Sequence, residues 1–136
     1  MVNIGVIGCG YWGPNLIRNF NQIKDCTIHS CSDLSKERLA HMKELYPNIK
    51  ITPNYKDIIE NEGIDAIAIA TPVSTHYKIA KEALQKGKHV LVEKPITMSS
   101  AEAKELIEIA KGKKKVLMVD HTFEYSAAVI KTRELI

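Results

Sequence analysis

The chain has 136 residues, a formal net charge of +3, 45% hydrophobic and 26% charged residues, as expected of one ordinary globular domain. A chain of this length buries roughly two thirds of the surface that it exposes when unfolded. The small positive charge gives no reason to expect a nucleic-acid partner. No apolar run approaches the roughly 18 to 20 residues that span a bilayer.

The cysteine content and the N-terminus indicate the cellular compartment. Cys9, Cys26 and Cys31 are an odd number and lack the spacing of metal ligands, which indicates free thiols in a reducing environment. The N-terminus begins directly with a strand pattern and has none of the features of a signal peptide. We therefore expect a cytoplasmic protein without a membrane segment or a metal site.

The first predicted elements are a strand, a glycine-rich loop and a helix. Residues 2–7 are apolar and rich in β-branched side chains, which indicates a buried strand. The helix that follows the loop has one apolar face, formed by Leu16, Ile17, Phe20 and Ile23. The loop between them, residues 8–13, has the form G-x-G-x-x-G, which in this context is a dinucleotide-binding fingerprint.

Each glycine of this loop has a physical role in that interpretation. Gly8 allows a tight turn, Gly10 lets a pyrophosphate approach the backbone, and Gly13 lets the helix pack closely on the strand. The amides of Tyr11 and Trp12 are the expected phosphate donors, helped by the positive end of the helix dipole. A glycine turn without a ligand is the alternative.

An acidic residue follows the second predicted strand, residues 27–32. Asp33 lies 20 residues after Gly13, where a carboxylate accepts a hydrogen bond from the adenosine ribose 2′-hydroxyl. The same carboxylate repels a 2′-phosphate, so NAD is favoured over NADP. Lys36 and Arg38 would weaken this preference, but we expect both to face solvent on the next helix. Capping of that helix, just before Ser35, is an alternative or additional role for Asp33.

Strand and helix patterns alternate through the rest of the chain. Further helices are predicted at residues 35–46, from Asn54, at 74–86 with Gly87 as C-cap, and from Ser99 with Glu102 to about Gly112; further strands at 49–52, 65–70, 89–92 and 116–119. In the second helix Leu39, Met42 and Leu45 are expected to face inward. Such alternation predicts an α/β fold, a doubly wound parallel sheet of about six strands in the order 3-2-1-4-5-6 with helices on both faces.

Two further motifs follow strands of the predicted sheet. The fourth strand is followed by Thr71-Pro72 and then His76, and the fifth by Glu93-Lys94-Pro95. Parallel strands bring their carboxyl ends to one edge, where ligands of such sheets bind. These motifs are therefore expected at the same edge as the glycine loop. Taken alone, Lys94 would be an ordinary lysine at a strand end.

The three motifs together, in content and order, resemble the glucose–fructose oxidoreductase/inositol dehydrogenase family over essentially the whole chain. The resemblance implies an NAD(P)-dependent oxidoreductase that acts on a sugar, sugar nucleotide or cyclitol. It also implies that residues 1–125 are a dinucleotide-binding Rossmann domain.

The resemblance further implies a role for each motif residue. Lys94 would contact the substrate hydroxyl and the nicotinamide ribose and assist proton transfer, since a developing alkoxide needs a nearby positive charge or donor. Glu93 would orient this lysine or line the nicotinamide pocket. Thr71, Pro72 and His76 would border the cofactor. For His76, a surface position at the start of a helix is the alternative.

The end of the chain carries further expectations from the resemblance. The Lys94–Pro95 bond is often cis in the family, although trans is the commoner state of such bonds. Residues 120–125 would lead towards a substrate cleft, and residues 12–15 and 121–123 are most similar to the subgroup that oxidises sugar nucleotides. Residues 126–136 would begin a helix leading to a second domain, absent here, that supplies the general base. We therefore expect dinucleotide binding without sugar turnover.

Two other interpretations stay open. The chain could be a stand-alone nucleotide-sensing or partner-binding module, with the apolar residues around 129–136 as an interface and a homo-oligomer as a possible assembly. It could also be a Rossmann domain for another ligand, such as coenzyme A. Asp33 and Glu93-Lys94-Pro95 argue against the second of these.

Overall fold

The computed structural model describes all residues from Met1 to Ile136. Six strands are present: β1 (Val2–Ile7), β2 (Cys26–Ser32), β3 (Lys50–Thr52), β4 (Ala66–Ile69), β5 (His89–Glu93) and β6 (Leu117–Asp120). They alternate with six α-helices: α1 (Gly13–Asn21), α2 (Lys36–Leu45), α3 (Lys56–Ile59), α4 (Val73–Gln85), α5 (Ser100–Lys113) and α6 (Ala127–Leu135). A short 3-10 helix, Thr122–Tyr125, separates β6 from α6.

The strands form one parallel sheet in the order β3-β2-β1-β4-β5-β6, which confirms the predicted α/β fold and strand order. The apolar strand β4 lies between β1 and β5, as its continuous hydrophobic pattern predicted. Because all strands are parallel, their carboxyl ends meet at one edge of the sheet. The loops that follow β1, β4, β5 and β6 therefore emerge together.

Two hydrophobic cores cover the two faces of the sheet. On one face α1 and α2 pack through Leu16, Ile17, Leu39 and Met42. On the other face α3, α4 and α5 bury a larger set: Ile58, Ile59, Ile79, Ala80, Ala83, Leu84, Leu106 and Ala110. Helices therefore lie on both faces, and the sheet holds the edge residues in a fixed arrangement.

Local capping chemistry explains several element boundaries. The Ser99 hydroxyl accepts from the Glu102 backbone N–H at 3.3 Å, which confirms the predicted start of α5. Gly87 has a φ of +76° directly after the last turn of α4, the conformation that glycine adopts most easily at a helix end. Ser126 caps α6 through the Val129 N–H.

Two sequence expectations about the helices are wrong. Ile23 lies beyond the end of α1 and is 48% exposed, and Leu45 ends α2 and is 52% exposed. Both residues lie at or beyond the end of their helix, where the side chains no longer face the buried side. The end of α5 at Lys113 agrees with the expected end at about Gly112, and the left-handed residue that follows it is Lys114, with a φ of 54°. None of the helices is long and apolar enough to cross a membrane.

Candidate functional site

The glycine loop has the geometry that its sequence predicts. Gly8 has a φ of +96°, and a Cβ there would lie 2.5 Å from the Ala70 carbonyl oxygen, so the turn passes close to the end of β4. A Cβ at Gly13 would overlap the Gly8 carbonyl oxygen. A Cβ at Gly10, by contrast, would meet only Arg38 Nη1 at 3.8 Å. The backbone at Gly10 therefore borders open space that a ligand can fill.

Three backbone donors of this loop have no acceptor within the protein. The N–H groups of Gly10, Tyr11 and Trp12 donate to no acceptor in the chain. Trp12 precedes α1 without a side-chain cap, and Pro14 occupies the first turn of that helix. Free N–H groups at the positive end of a helix are a common binding site for phosphate groups.

The cysteine in the loop has a packing role. Cys9 and Cys31 are buried free thiols, and Cys26 is a half-buried one, as predicted. A hydrogen bond with the Cys31 thiol, together with burial, raises the pKa of Cys9 far above its usual range. The Cys9 thiol therefore stays protonated and unreactive beneath the loop.

Asp33 ties the glycine loop to the end of β2. Its Oδ2 accepts the Cys9 N–H at 2.7 Å, and its Oδ1 accepts the Ser35 N–H at 2.8 Å. Ser35 itself caps α2, so Asp33 supports the capping residue and is not the cap. These two bonds fix the carboxylate and still leave it able to accept further hydrogen bonds.

The Arg38 side chain lies beside this carboxylate. Its Nη1 is 3.6 Å from Asp33 Oδ2, although 58% of the arginine side chain remains exposed. Arg38 and Lys36 are both exposed, as expected, but the Arg38 guanidinium also lies beside Asp33. The attraction to Asp33 turns the guanidinium back from α2 towards the glycine loop.

A cavity of about 550 Å³ joins these features. It is lined by Gly8 and Gly10 of the glycine loop, by Asp33 and Arg38, and by Thr71 and Pro72 after β4, whereas Tyr11 and Trp12 do not line it. Further lining residues, including Pro53, Tyr55 and Thr75, were not predicted, because no local motif marks them. Free N–H donors, a fixed carboxylate and a cavity open at Gly10 together fit a dinucleotide, which needs donors for phosphate and an acceptor for ribose.

His76 is buried between two edge loops. It is 1% exposed, its Nε2 lies 2.7 Å from the Thr71 carbonyl oxygen, and its Nδ1 lies 2.9 Å from the Pro95 carbonyl oxygen. The alternative of a surface position is therefore wrong. The imidazole connects the loop after β4 with the loop after β5, where the Lys94–Pro95 bond is cis.

Lys94 and its neighbours form a second part of the edge. Lys94 is exposed and borders a cavity of about 200 Å³ whose other walls are His121, Thr122, Phe123, Glu124 and Val129. Glu93 is only 7% exposed, and burial, together with the nearby Asp120 carboxyl, raises its pKa to about 7. The edge thus combines a free ammonium group with a carboxyl group that can hold a proton near neutral pH.

Comparison with known proteins agrees with this geometry. Residues 2–121 match the family model described as the oxidoreductase family with an NAD-binding Rossmann fold, GFO/IDH/MocA. The chain belongs to this family. The predicted resemblance is thereby confirmed, and the cavity lies in an NAD-binding Rossmann domain of the oxidoreductase type.

Relatives within the family differ in their described activities. An uncharacterized oxidoreductase, YdgJ of Escherichia coli, is 31% identical and covers 99% of this chain and 38% of its own length. The myo-inositol 2-dehydrogenase of Thermotoga maritima is 28% identical, over 99% of this chain and 40% of the length of the dehydrogenase. The structure of biliverdin reductase from Synechocystis, in complex with biliverdin and NADP⁺, superposes with a TM-score of 0.93 at 28% identity. The match covers 98% of this chain and 42% of the reductase chain. The chain thus spans about two fifths of the length of these family members.

Proposed function

We propose that this chain binds NAD in the 550 Å³ cavity and serves hydride transfer between the nicotinamide and a hydroxyl group of a sugar, sugar nucleotide or cyclitol. The observation that carries the proposal is the meeting, at one edge of the sheet, of free loop amides, the fixed Asp33 carboxylate and the exposed Lys94. The similarity to a myo-inositol dehydrogenase supports a polyhydroxylated substrate.

The amino-terminal part of the edge would hold the cofactor. The amides of Tyr11 and Trp12, next to Gly10 and at the start of α1, would bind the pyrophosphate. Asp33 would accept from the adenosine ribose, while Thr71 and Pro72 form the opposite wall. In this proposal His76 contacts no ligand directly but holds the loops after β4 and β5 together beside it.

The preference for NAD rests on Asp33. Two backbone N–H groups hold its carboxylate at the cavity wall, where a 2′-phosphate would meet a fixed negative charge. Arg38 acts in the opposite direction, because a guanidinium favours a phosphate, and a family member binds NADP⁺. The Asp33 charge is more buried than that of Arg38, with 8% against 58% of the side chain exposed, so we propose that Asp33 dominates.

Lys94 would act on the reacting hydroxyl. An ammonium group donates hydrogen bonds and stabilises the negative charge that develops on oxygen as hydride leaves carbon. Bound nicotinamide supplies the hydride acceptor. Glu93, directly before this lysine, would keep the local charge balanced. We further propose that residues 1–125 form the cofactor domain, that residues 126–136 lead towards a substrate domain, and that the remaining substrate contacts and the base lie outside residues 1–136.

Titration calorimetry with NADH, NADPH and coenzyme A tests the cofactor half of the proposal. We expect NADH to bind more tightly than NADPH, and coenzyme A to bind weakly. In Asp33→Asn the ribose acceptor loses its charge, so the NADH affinity should fall about tenfold, equivalent to about 1.4 kcal/mol, while the NADPH affinity does not fall. Asp25→Asn, an exposed aspartate before β2, serves as the matched control and should leave both affinities unchanged. Absence of NADH binding at millimolar concentration, or tighter coenzyme A binding, would contradict the proposal.

A further inference from the structure

Two carboxyl groups lie side by side at the ends of β5 and β6. Glu93 and Asp120 are partners in the parallel register of these strands, and partners in adjacent strands project to the same face of a sheet. Glu93 is 7% exposed, and its Oε1 is enclosed by protein without any hydrogen-bond partner. A buried oxygen that accepts no hydrogen bond destabilises the folded state. A proton held between the two carboxyl groups would provide this oxygen with a hydrogen bond.

The charges around Glu93 favour that proton. Burial raises the pKa of Glu93 to about 7, and the Asp120 carboxyl adds to the rise through a hydrogen bond and through repulsion of a second negative charge. The only opposing group is Lys94, whose backbone N–H and ammonium favour the ionised form more weakly. No other charged side chain influences Glu93 to a comparable degree.

We propose that Glu93 and Asp120 share a single proton at neutral pH, so that Asp120 is a positioning residue that acts through Glu93. The shared proton donates to a carboxyl oxygen that otherwise has no partner. It also leaves one negative charge, instead of two, beside Lys94. As the pH rises above 7, the proton leaves to solvent and the pair becomes doubly charged.

The consequence for Lys94 rests on the proposed function, but the shared proton does not. If Lys94 donates to the substrate hydroxyl, a doubly charged pair would draw its ammonium group back towards the sheet. A pair with one proton leaves that group free to face the cavity of about 200 Å³ that it borders. Asp120 would thus control the orientation of the lysine without touching substrate or cofactor.

The stability of the free protein as a function of pH provides the first test. The pKa of Glu93 in the folded chain lies above its ordinary value of 4.5, so the folded chain keeps a proton that the unfolded chain has released. This contribution therefore destabilises the fold progressively as pH rises from about 5 to 7, and it is constant above that. Glu93→Gln keeps the shape and donor of the protonated form. We therefore expect the unfolding equilibrium constant of the wild type, divided by that of Glu93→Gln at the same pH, to increase between about pH 5 and pH 7. The increase should be up to about tenfold for each pH unit.

An exposed residue provides the control for this measurement. Glu108→Gln replaces a carboxylate that is 72% exposed on α5, and its ratio should stay flat over the same pH range. A ratio for Glu93→Gln that is equally flat between pH 5 and 8 would overturn the proposal, because no proton would then be held on the pair.

Carbon-13 NMR of labelled glutamate carboxyl groups provides a second test, which remains valid if a variant folds poorly. In the wild type the Glu93 carboxyl should titrate near pH 7. In Asp120→Asn the neighbouring amide carries no negative charge and cannot take up a proton, and its NH2 group can donate to the ionised Glu93 carboxylate, so the midpoint should fall by about one pH unit or more. An unchanged midpoint would show that burial alone retains the proton and would remove the role of Asp120. Both tests use the protein without cofactor, so failure to bind NADH would contradict the proposed function and leave this inference intact.

Discussion

The two parts of the sheet edge differ in how their polar groups are satisfied. The part proposed to bind the cofactor, here called the cofactor part, consists of the glycine loop, Asp33 and the loop after β4. In it the Asp33 side chain is 8% exposed and accepts hydrogen bonds from two backbone N–H groups, and the glycine turn contacts the end of β4. In the part around Lys94, the side chains of Lys94, His121 and Phe123 are exposed, and a buried oxygen of Glu93 has no partner.

This difference indicates which kind of change each part tolerates. The cofactor part is built from backbone contacts. A methyl group added to a glycine of its loop, or loss of the His76 contacts to the loops after β4 and β5, therefore destabilises the fold itself. The part around Lys94 is built from exposed side chains that contribute little to the stability of the domain. Substitutions of these exposed side chains should alter chemistry and leave folding almost unchanged, whereas the buried Glu93 makes the stability of the fold depend on pH.

The largest effect is expected at the closest backbone contact. In Gly13→Ala the new Cβ would overlap the Gly8 carbonyl oxygen, and neither backbone segment can move without displacing β1 or α1. Overpacking in a core costs about 1–3 kcal/mol, and a clash with backbone lies at or above the upper end of that range. We expect a loss of about 3 kcal/mol or more in the free energy of unfolding, measured by urea denaturation, together with loss of NADH binding.

The control for this variant is a glycine in open space. Gly112 lies inside α5 with no atom within 4 Å of a Cβ built there, and alanine is the better helix former by about 1 kcal/mol. Gly112→Ala should therefore stabilise the domain slightly. Equal stability of the two alanine variants would show that the glycine turn is looser than its contacts indicate.

A smaller effect is expected where a side chain joins the two parts. His76→Leu preserves an apolar volume but removes both contacts to the Thr71 and Pro95 carbonyl oxygens. Leaving a buried acceptor unpaired costs about 1–3 kcal/mol, so we expect a destabilisation in this range and weaker NADH binding. His41→Leu, on the exposed side of α2, should change the free energy of unfolding by less than about 0.5 kcal/mol. An equal, small effect of both substitutions would mean that the bridge does not support the edge.

The sequence predicts the cofactor part better than the part around Lys94. Strand order and the glycine loop follow from hydrophobic periodicity and from short-range backbone geometry, both of which act within a few residues. The role of Asp33 was predicted in the same way, because its distance from Gly13 in the chain is set by one helix and one strand. The family resemblance then suggested roles for Lys94 and for the residues that follow β4.

Contacts between distant segments could not be predicted. The bridge made by His76 joins residues 71 and 95, and the pairing of Glu93 with Asp120 depends on the register of β5 and β6. The contact between the Arg38 guanidinium and Asp33 depends on the rotamer of the arginine, which the local sequence does not determine. Ile23 and Leu45 were misplaced because helical periodicity does not show where a helix ends.

The smallest effect is expected in the part around Lys94. Phe123 is 76% exposed in the 3-10 helix and borders the cavity next to Lys94. Phe123→Ser removes an aromatic ring that the domain does not bury, so the free energy of unfolding should change by less than about 0.5 kcal/mol. Leu106→Ala, at a fully buried position of α5, calibrates the same denaturation experiment and should cost about 2–5 kcal/mol. A loss above about 1 kcal/mol for Phe123→Ser would place this ring in the packing of the domain and would remove the contrast between the two parts of the edge.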